Sequence, residues 1–240
     1  MENTILCVKW GDKYDNEYVE KLKDQIEKNC SVPFNFYCLT DNPTQPYDIQ
    51  LPTTWDAYEN GKFWAYRKLY MFDERTIDIK GDQFLYLDLD VIIQQDLKYF
   101  FEFDVTIPYI VKGWWNDIEV CKKNFAKFQS PMINSSVIRW NRTQLQKIYK
   151  HINDNLDVIF FTYPTIDNYL NHFWYNMHDD VQTRNFLNVF PKGDIYSWYK
   201  GNVFPDDMEP KKRREDCKIC LFNNSGEDND TEELKSLWNT

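Results

Sequence analysis

The stretch FLYLDLDVII spans residues 84–93 and is the strongest strand signal in the chain. Residues 84–87 are apolar at every position, which is typical of a strand buried on both faces at the centre of a parallel sheet. Ligands of such sheets bind beyond the carboxyl ends of the strands. Asp88 and Asp90 follow the apolar run directly, so the sequence predicts a polar site at that edge of the sheet.

The spacing of the two acids suggests a metal site. In an extended chain, residues two apart face the same side, roughly 6.6 Å from each other at a rise of ~3.3 Å per residue. Asp88 and Asp90 could therefore share a hard divalent cation and leave positions open for diphosphate oxygens. Such a cation neutralises charge on a departing diphosphate. The alternative is a pair of solvated acids where a strand meets a loop. Burying two unpaired carboxylates beside the apolar strand would be costly without a cation.

Short apolar segments alternate with helical patterns along the chain, which predicts an α/β fold with a largely parallel sheet. Strands are expected at 4–10, 34–39, 84–93, 107–112 and 135–140. Helices are expected over about 16–29, capped by Asp15, over 62–73, and through most of 144–176.

Composition narrows the possible partners. The 240 residues carry a formal net charge of -10, which disfavours nucleic acid and anionic lipid as partners. The first residues, MENTILCVKW, show no signal-peptide pattern, and no run approaches the ~20 apolar residues of a membrane span. We therefore expect a cytoplasmic protein, in the host cytoplasm if the source is a virus.

Several common catalytic motifs are missing. The chain contains no GxGxxG, Walker A, HExxH or GxSxG sequence, which disfavours dehydrogenases, P-loop enzymes, zinc proteases and α/β-hydrolases. Cys217 and Cys220 form a single CxxC, whereas a structural zinc site needs a second pair of ligands. We expect the six cysteines to be plain thiols.

With its Asp-x-Asp after a hydrophobic strand about a third of the way along, the chain resembles the GT-A glycosyltransferases. It most resembles small single-domain viral and bacterial enzymes, including those that glycosylate chlorovirus capsids, and more remotely the glycogenin-like family. The resemblance covers about residues 3–223. It implies one GT-A domain over 1–224, with a mixed, mainly parallel central sheet flanked by helices. Residues 225–240 would form an acidic tail or a terminal helix.

The resemblance also implies an activity and a set of site residues. The activity is sugar transfer from a nucleotide-diphosphate donor, most often a UDP-sugar, to a glycan or glycoprotein acceptor, with Mn²⁺ or Mg²⁺. Asp167 would be the general base of an inverting enzyme or a donor-hydroxyl ligand in a retaining one. The metal ligands would be Asp88, Asp90 and, where relatives often carry a histidine, Asn223 or a water. The donor would contact Lys9, Trp10, Tyr14, Thr40, Asp41, Trp64, Arg67, Asp88, Asn134 and Ser135.

Each of these residues also has an ordinary structural interpretation. Asp41 precedes Asn-Pro and suits a turn, Arg67 suits an exposed helix face, and Asp167 suits the first turn of a helix. Three other classes remain open for the whole chain. They are an inactive GT-A protein that only binds sugar nucleotides, a haloacid-dehalogenase-like phosphatase and a nucleotidyltransferase. The last two place their signature at the first strand, where this chain has neither an Asp-x-Asp nor a glycine-rich loop.

Overall fold

The structure is a computed structural model, and it describes residues 1–56, 64–73, 79–104, 106–116, 121, 131–174, 186–201, 210–223 and 231–238. The strands in this part are β1 (Asn3–Lys9), β2 (Phe34–Thr40), β3 (Asp48–Gln50), β4 (Gln83–Leu87), β5 (Val91–Ile93), β6 (Tyr109–Lys112), β7 (Ile133–Asn141), β8 (Asn188–Val189), β9 (Ile195–Ser197) and β10 (Ile219–Leu221). The helices are α1 (Asn16–Lys28), a 3₁₀ helix (Trp64–Phe72), α2 (Lys98–Phe101), α3 (Gln146–Asp154), α4 (Leu156–Thr162), α5 (Ile166–Trp174) and α6 (Thr231–Leu237).

The central sheet has seven strands in the order β3-β2-β1-β4-β7-β6-β8. Neighbouring strands are parallel except where β7 runs against β4 and β6. Helices flank this sheet. The predicted α/β fold with a mixed, mainly parallel central sheet is therefore confirmed.

The structure corrects the prediction of one continuous strand over 84–93. β4 ends at Leu87, and β5 begins at Val91 in a second sheet with the order β5-β10-β9. Asp88 and Asp90 lie in the turn between the two sheets and not in the extended chain that the pattern predicted. The break is hidden in the sequence because both strands are apolar. It arises from the pairing of β5 with β10, which comes much later in the chain.

Two hydrophobic clusters explain why β4 is apolar on both faces. Leu85 and Leu87 pack into a cluster that includes the buried side of α1. Phe84 and Tyr86 point the other way, into a cluster built with the 3₁₀ helix and α3 to α5. Alternate residues of one strand thus serve two cores, as the period of a strand requires.

The ends of the helices follow from local sequence. Asp15 caps α1 as predicted, because its carboxylate accepts a hydrogen bond from the Glu17 backbone N–H at 2.9 Å. At the far end of the chain, α6 buries Leu234 and the following residue Trp238. Residues 224–230 lie outside the described part, and the division of the chain at residue 224 stays a prediction. None of the described helices is long and apolar enough to span a bilayer.

Candidate functional site

An open cleft of about 840 Å³ lies at the carboxyl edge of β1 and β4. Its walls come from the loop after β1, the loop after β3, the 3₁₀ helix and the turn after β4. Six of the residues singled out in the sequence line it, namely Trp10, Tyr14, Asp41, Arg67, Asp88 and Asp90. The structure therefore gathers residues that are up to 80 positions apart in sequence at the sheet edge where ligands of α/β folds bind.

Asp88 has two close partners. Its Oδ1 pairs with Lys68 Nζ at 2.6 Å and also accepts a hydrogen bond from the Tyr86 hydroxyl. Lys68 is buried, and its ammonium also lies 5.4 Å from the centre of the Tyr86 ring. A lysine enclosed in this way supplies positive charge next to the acids at the cleft.

Asp90 accepts a hydrogen bond from the Tyr14 hydroxyl at 2.8 Å through Oδ2. Burial, followed by repulsion from Asp88, raises the pKa of Asp90 to about 6, although the Tyr14 hydrogen bond and the charges of Lys13 and Lys68 oppose the rise. The ionised carboxyl is therefore under electrostatic strain, which a nearby cation would relieve.

Asn223 lies beside the acidic turn. The backbone N–H of Phe222 donates to Asp90 O at 3.0 Å, and Asn223 is the next residue. Its Oδ1 is buried and accepts no hydrogen bond from the described part of the chain. The described residues also contain no group of three His, Cys, Asp or Glu side chains that could hold one metal ion. Two carboxylates and an unsatisfied amide oxygen are the ligand types that suit a hard cation.

Asp167 lies in the first turn of α5, against the start of β7. Its Oδ1 accepts from the Ser135 backbone N–H at 2.9 Å, and its Oδ2 accepts from Asn134 Nδ2 at 3.3 Å. Burial raises the pKa of Asp167, while hydrogen bonding from Ser135 and the charge of Lys68 oppose this. The backbone N–H of Asp88 donates to Ser136 O at 2.9 Å, so this group adjoins the acidic turn.

One side of the cleft is built from two loops. The Gly11 backbone N–H donates to Asp41 Oδ2 at 2.8 Å, which ties the loop after β1 to the loop after β2. Gly11 adopts φ +59°, a conformation that L side chains rarely take. Across the cleft, Arg67 Nη2 pairs with Asp56 Oδ1 at 3.0 Å. Trp10, Asp41 and Arg67 are thus held around one cavity.

Four of the predicted donor residues, Lys9, Thr40, Asn134 and Ser135, are not among the residues that line this cleft. Lys9 and Thr40 face the α1 side of the sheet, where they line a shallow groove with Val19 and Tyr47. The physical reason is the strand period, since Val8 lines the cleft and its neighbour Lys9 must point the opposite way. Trp64 begins the 3₁₀ helix, but its side chain lies outside the described part.

The predicted donor contacts did not include Lys68, Tyr86 and Lys13, which also line the cleft. Tyr86 had a usable signal, because it stands two residues before Asp88 and so shares its side of the strand. Lys68 had no such signal, because Arg67 also adjoins apolar residues and only the packing of the 3₁₀ helix buries Lys68. Lys13 lines the cleft, with its ammonium 4.7 Å from the Tyr14 ring centre.

Comparison with known proteins gives likeness in structure only. No family model and no curated protein matches the sequence. The galactosyltransferase LgtC, solved with donor and acceptor sugar analogues, superposes with a TM-score of 0.66 at 12% identity, covering 98% of this chain and 95% of LgtC. A glycosyltransferase involved in glycosylation of the PBCV-1 major capsid gives 0.58 at 14% identity over 100% of both chains. Mouse xyloside xylosyltransferase 1 gives 0.55 at 10% identity, covering 92% of this chain and 97% of that one. The chain therefore has the GT-A fold of these glycosyltransferases.

Proposed function

We propose that this protein is a metal-dependent glycosyltransferase that moves a sugar from a nucleotide-diphosphate donor to a glycan or glycoprotein acceptor. The observation that carries the proposal is the acidic turn after β4, where Asp88 and Asp90 line a large cleft beside two lysines. The likeness in fold to glycosyltransferases supports the same reading.

The residues at the turn fit a divalent ion such as Mn²⁺ or Mg²⁺. Two carboxylates and one amide provide oxygen ligands, which hard cations prefer. Such an ion, when bound, supplies positive charge to the diphosphate as the sugar bond breaks. Asp88 and Asp90 would hold it, and Asn223 is the third ligand that the chain offers.

Other residues in or beside the cleft have roles that follow from charge and position. Lys13 and Lys68 add positive charge where a diphosphate would lie next to the acidic turn. Arg67 can offer a planar pair of donors to phosphate oxygens after it separates from Asp56. Asp167, held by β7 at the edge of the site, is the candidate for proton removal from an acceptor or for contact with a donor hydroxyl.

Trp10, Tyr14 and Asp41 form the part of the cleft that suits a base and ribose. Aromatic rings stack on bases, and a carboxylate accepts hydrogen bonds from a base N–H or a ribose hydroxyl. We propose uracil as the base, because the resemblance described above is to enzymes that mostly use UDP-sugars. Uracil also offers an N–H that a carboxylate can accept, which cytosine lacks at the corresponding ring position.

A donor screen tests the proposal. UDP-, GDP- and CDP-sugars are incubated with the protein and Mn²⁺, and release of the nucleoside diphosphate is measured. We expect the wild type to hydrolyse a UDP-sugar slowly and Asp88→Asn to lose this activity. The control variant Asp82→Asn should retain it, because Asp82 is an exposed acid near the opposite end of β4. UDP binding without turnover on any acceptor would favour an inactive sugar-nucleotide-binding protein. Release of phosphate from a generic phosphate ester would favour a phosphatase.

A further inference from the structure

Three aromatic rings connect the C-terminal helix to the acidic turn. The Trp238 ring packs edge-on against Tyr18, with centroids 5.0 Å apart. Tyr18 packs against Tyr14 at 4.8 Å, and the Tyr14 hydroxyl donates to Asp90 Oδ2 at 2.8 Å. These contacts link Asp90 to a residue almost 150 positions further along the chain.

The helix end of this connection is firmly docked. Leu234 is fully buried, and Trp238 is only 7% exposed. Two ion pairs fix the helix from outside, Lys235 with Glu17 at 2.7 Å and Lys211 with Glu233 at 3.2 Å. Exposed pairs such as these contribute little individually, so the buried leucine and tryptophan supply most of the docking free energy.

The Tyr14 end of the connection lies in irregular chain. Tyr14 belongs to the bend between β1 and α1, which contains Gly11 in its left-handed conformation. Regular backbone hydrogen bonding is absent from such a bend, and the tyrosine is only partly buried. Its ring contact with Tyr18 is therefore a main source of order for the hydroxyl that meets Asp90.

We propose that Tyr18 and Trp238 are positioning residues for the metal site, so that docking of α6 sets the orientation of Tyr14 and, through it, of Asp90. This inference rests on the proposed function. The hydrogen bond occupies one side of Oδ2 and fixes the carboxylate plane, which leaves the other oxygen in a defined position for a cation. Removal of the Trp238 ring loosens α6 and Tyr18, frees the Tyr14 hydroxyl, and weakens metal binding without removing a ligand.

The experiment compares full-length Trp238→Ala, Trp238→Phe and Phe103→Ala with the wild type. Phe103 is a matched control, because it is a partly buried aromatic that packs against Tyr99, Phe100, Tyr109 and Phe190, away from Asp90. Mn²⁺ affinity is measured by electron paramagnetic resonance in the presence of UDP. Hydrogen exchange of residues 11–18 is measured without any ligand. Chemical denaturation checks that each variant is folded at the assay temperature.

We expect Trp238→Ala to weaken Mn²⁺ binding by roughly tenfold, the low end of the range for partners beyond the direct ligands. Exchange at 11–18 should accelerate in the same variant. Trp238→Phe should keep the Mn²⁺ affinity and the exchange rate at 11–18 close to those of the wild type. Phe103→Ala should change neither quantity. Unchanged exchange in Trp238→Ala would overturn the inference whether or not the nucleotide binds. Faster exchange with unchanged Mn²⁺ affinity would overturn it too. Absence of Mn²⁺ binding by the wild type would instead remove the proposed function, and the inference with it.

Discussion

The two ends of β4 satisfy their polar groups in opposite ways. At the amino end, Arg142 donates through Nε to Gly81 O and through Nη2 to Ile79 O, both at 2.7 Å. Asp82 nearby accepts from the Glu2 backbone N–H at 2.8 Å. Protein groups alone meet the hydrogen-bonding needs of these atoms, so this end stabilises the fold without help from a ligand.

The carboxyl end retains an electrostatic cost. Asp88 and Asp90 repel each other, Lys68 offsets part of that repulsion, and Asn223 Oδ1 is buried with no donor in the described part of the chain. Sites that bind charged ligands keep groups whose charge the protein itself does not fully compensate. Substitutions at the amino end should therefore affect stability, whereas those at the carboxyl end should affect ligand binding and chemistry.

The largest effect on the carboxyl side is expected for Asp167→Asn. The amide can still accept from the Ser135 N–H but cannot remove a proton, so transfer should fall by ~100-fold or more. Affinity for UDP should change little, because Asp167 lies beside β7 and not among the residues that line the cleft. Steady-state transfer and calorimetric UDP binding check this. Unchanged transfer would leave Asp167 a structural link between α5 and β7.

A matched pair of substitutions tests the contrast between the ends directly. Arg142→Met should lower the free energy of unfolding by about 2 kcal/mol, because two carbonyls lose a charged donor. Lys68→Met should lower the free energy of unfolding by a similar amount, since Asp88 loses its ion pair with the lysine ammonium. UDP with Mn²⁺ should recover much of the loss in Lys68→Met and none in Arg142→Met. Chemical denaturation with and without the ligands measures this, and equal recovery in both variants would remove the contrast.

The smallest effect is a pH dependence of the metal-free protein. The pKa of Asp90 is raised to about 6 in the folded state, so the folded protein holds this proton more tightly than the unfolded chain. The free energy of unfolding should therefore fall by about 1 kcal/mol, after allowance for partial exposure, as pH rises from about 4 to about 6. Above this range the contribution of Asp90 should level off. Asp90→Asn should lack this part, while the raised pKa of Asp167 contributes equally to both proteins. If the wild type and Asp90→Asn show the same dependence of unfolding free energy on pH in the presence of a metal chelator, the strain assigned to Asp90 is contradicted.

Much of the fold could be predicted from sequence because it depends on local patterns. The apolar residues of β4 alternate between two cores, and Asp15 stands where α1 needs a cap. The Asp88–Asp90 pair at the end of a buried strand also pointed to the edge of the sheet where the cleft lies. These features depend on neighbours in the chain, which a sequence displays.

What the sequence did not reveal depends on distant partners or on side-chain direction. β5 leaves the central sheet only because it pairs with β10. Arg67 and Lys68 are adjacent basic residues, and packing of the 3₁₀ helix decides that Lys68 meets Asp88. Lys9 shares its strand with Val8, but one position of register turns it away from the cleft. Contact between Trp238 and Tyr18 has no local signal at all.

The most direct test of the metal site is a thermal-shift matrix of wild type, Asp90→Asn and Asp82→Asn against UDP, Mn²⁺, both and neither. A ligand at a hundredfold excess over Kd stabilises the folded state by about 2.7 kcal/mol, and each kcal/mol raises Tm by roughly 2–4 °C in a chain of this size. We predict that UDP and Mn²⁺ together raise the Tm of wild type and Asp82→Asn by more than the sum of their separate effects, and that Asp90→Asn loses this excess while staying folded. An additive shift in the wild type, or an undiminished excess in Asp90→Asn, would contradict the assignment of the acidic turn as the metal site of the sugar donor.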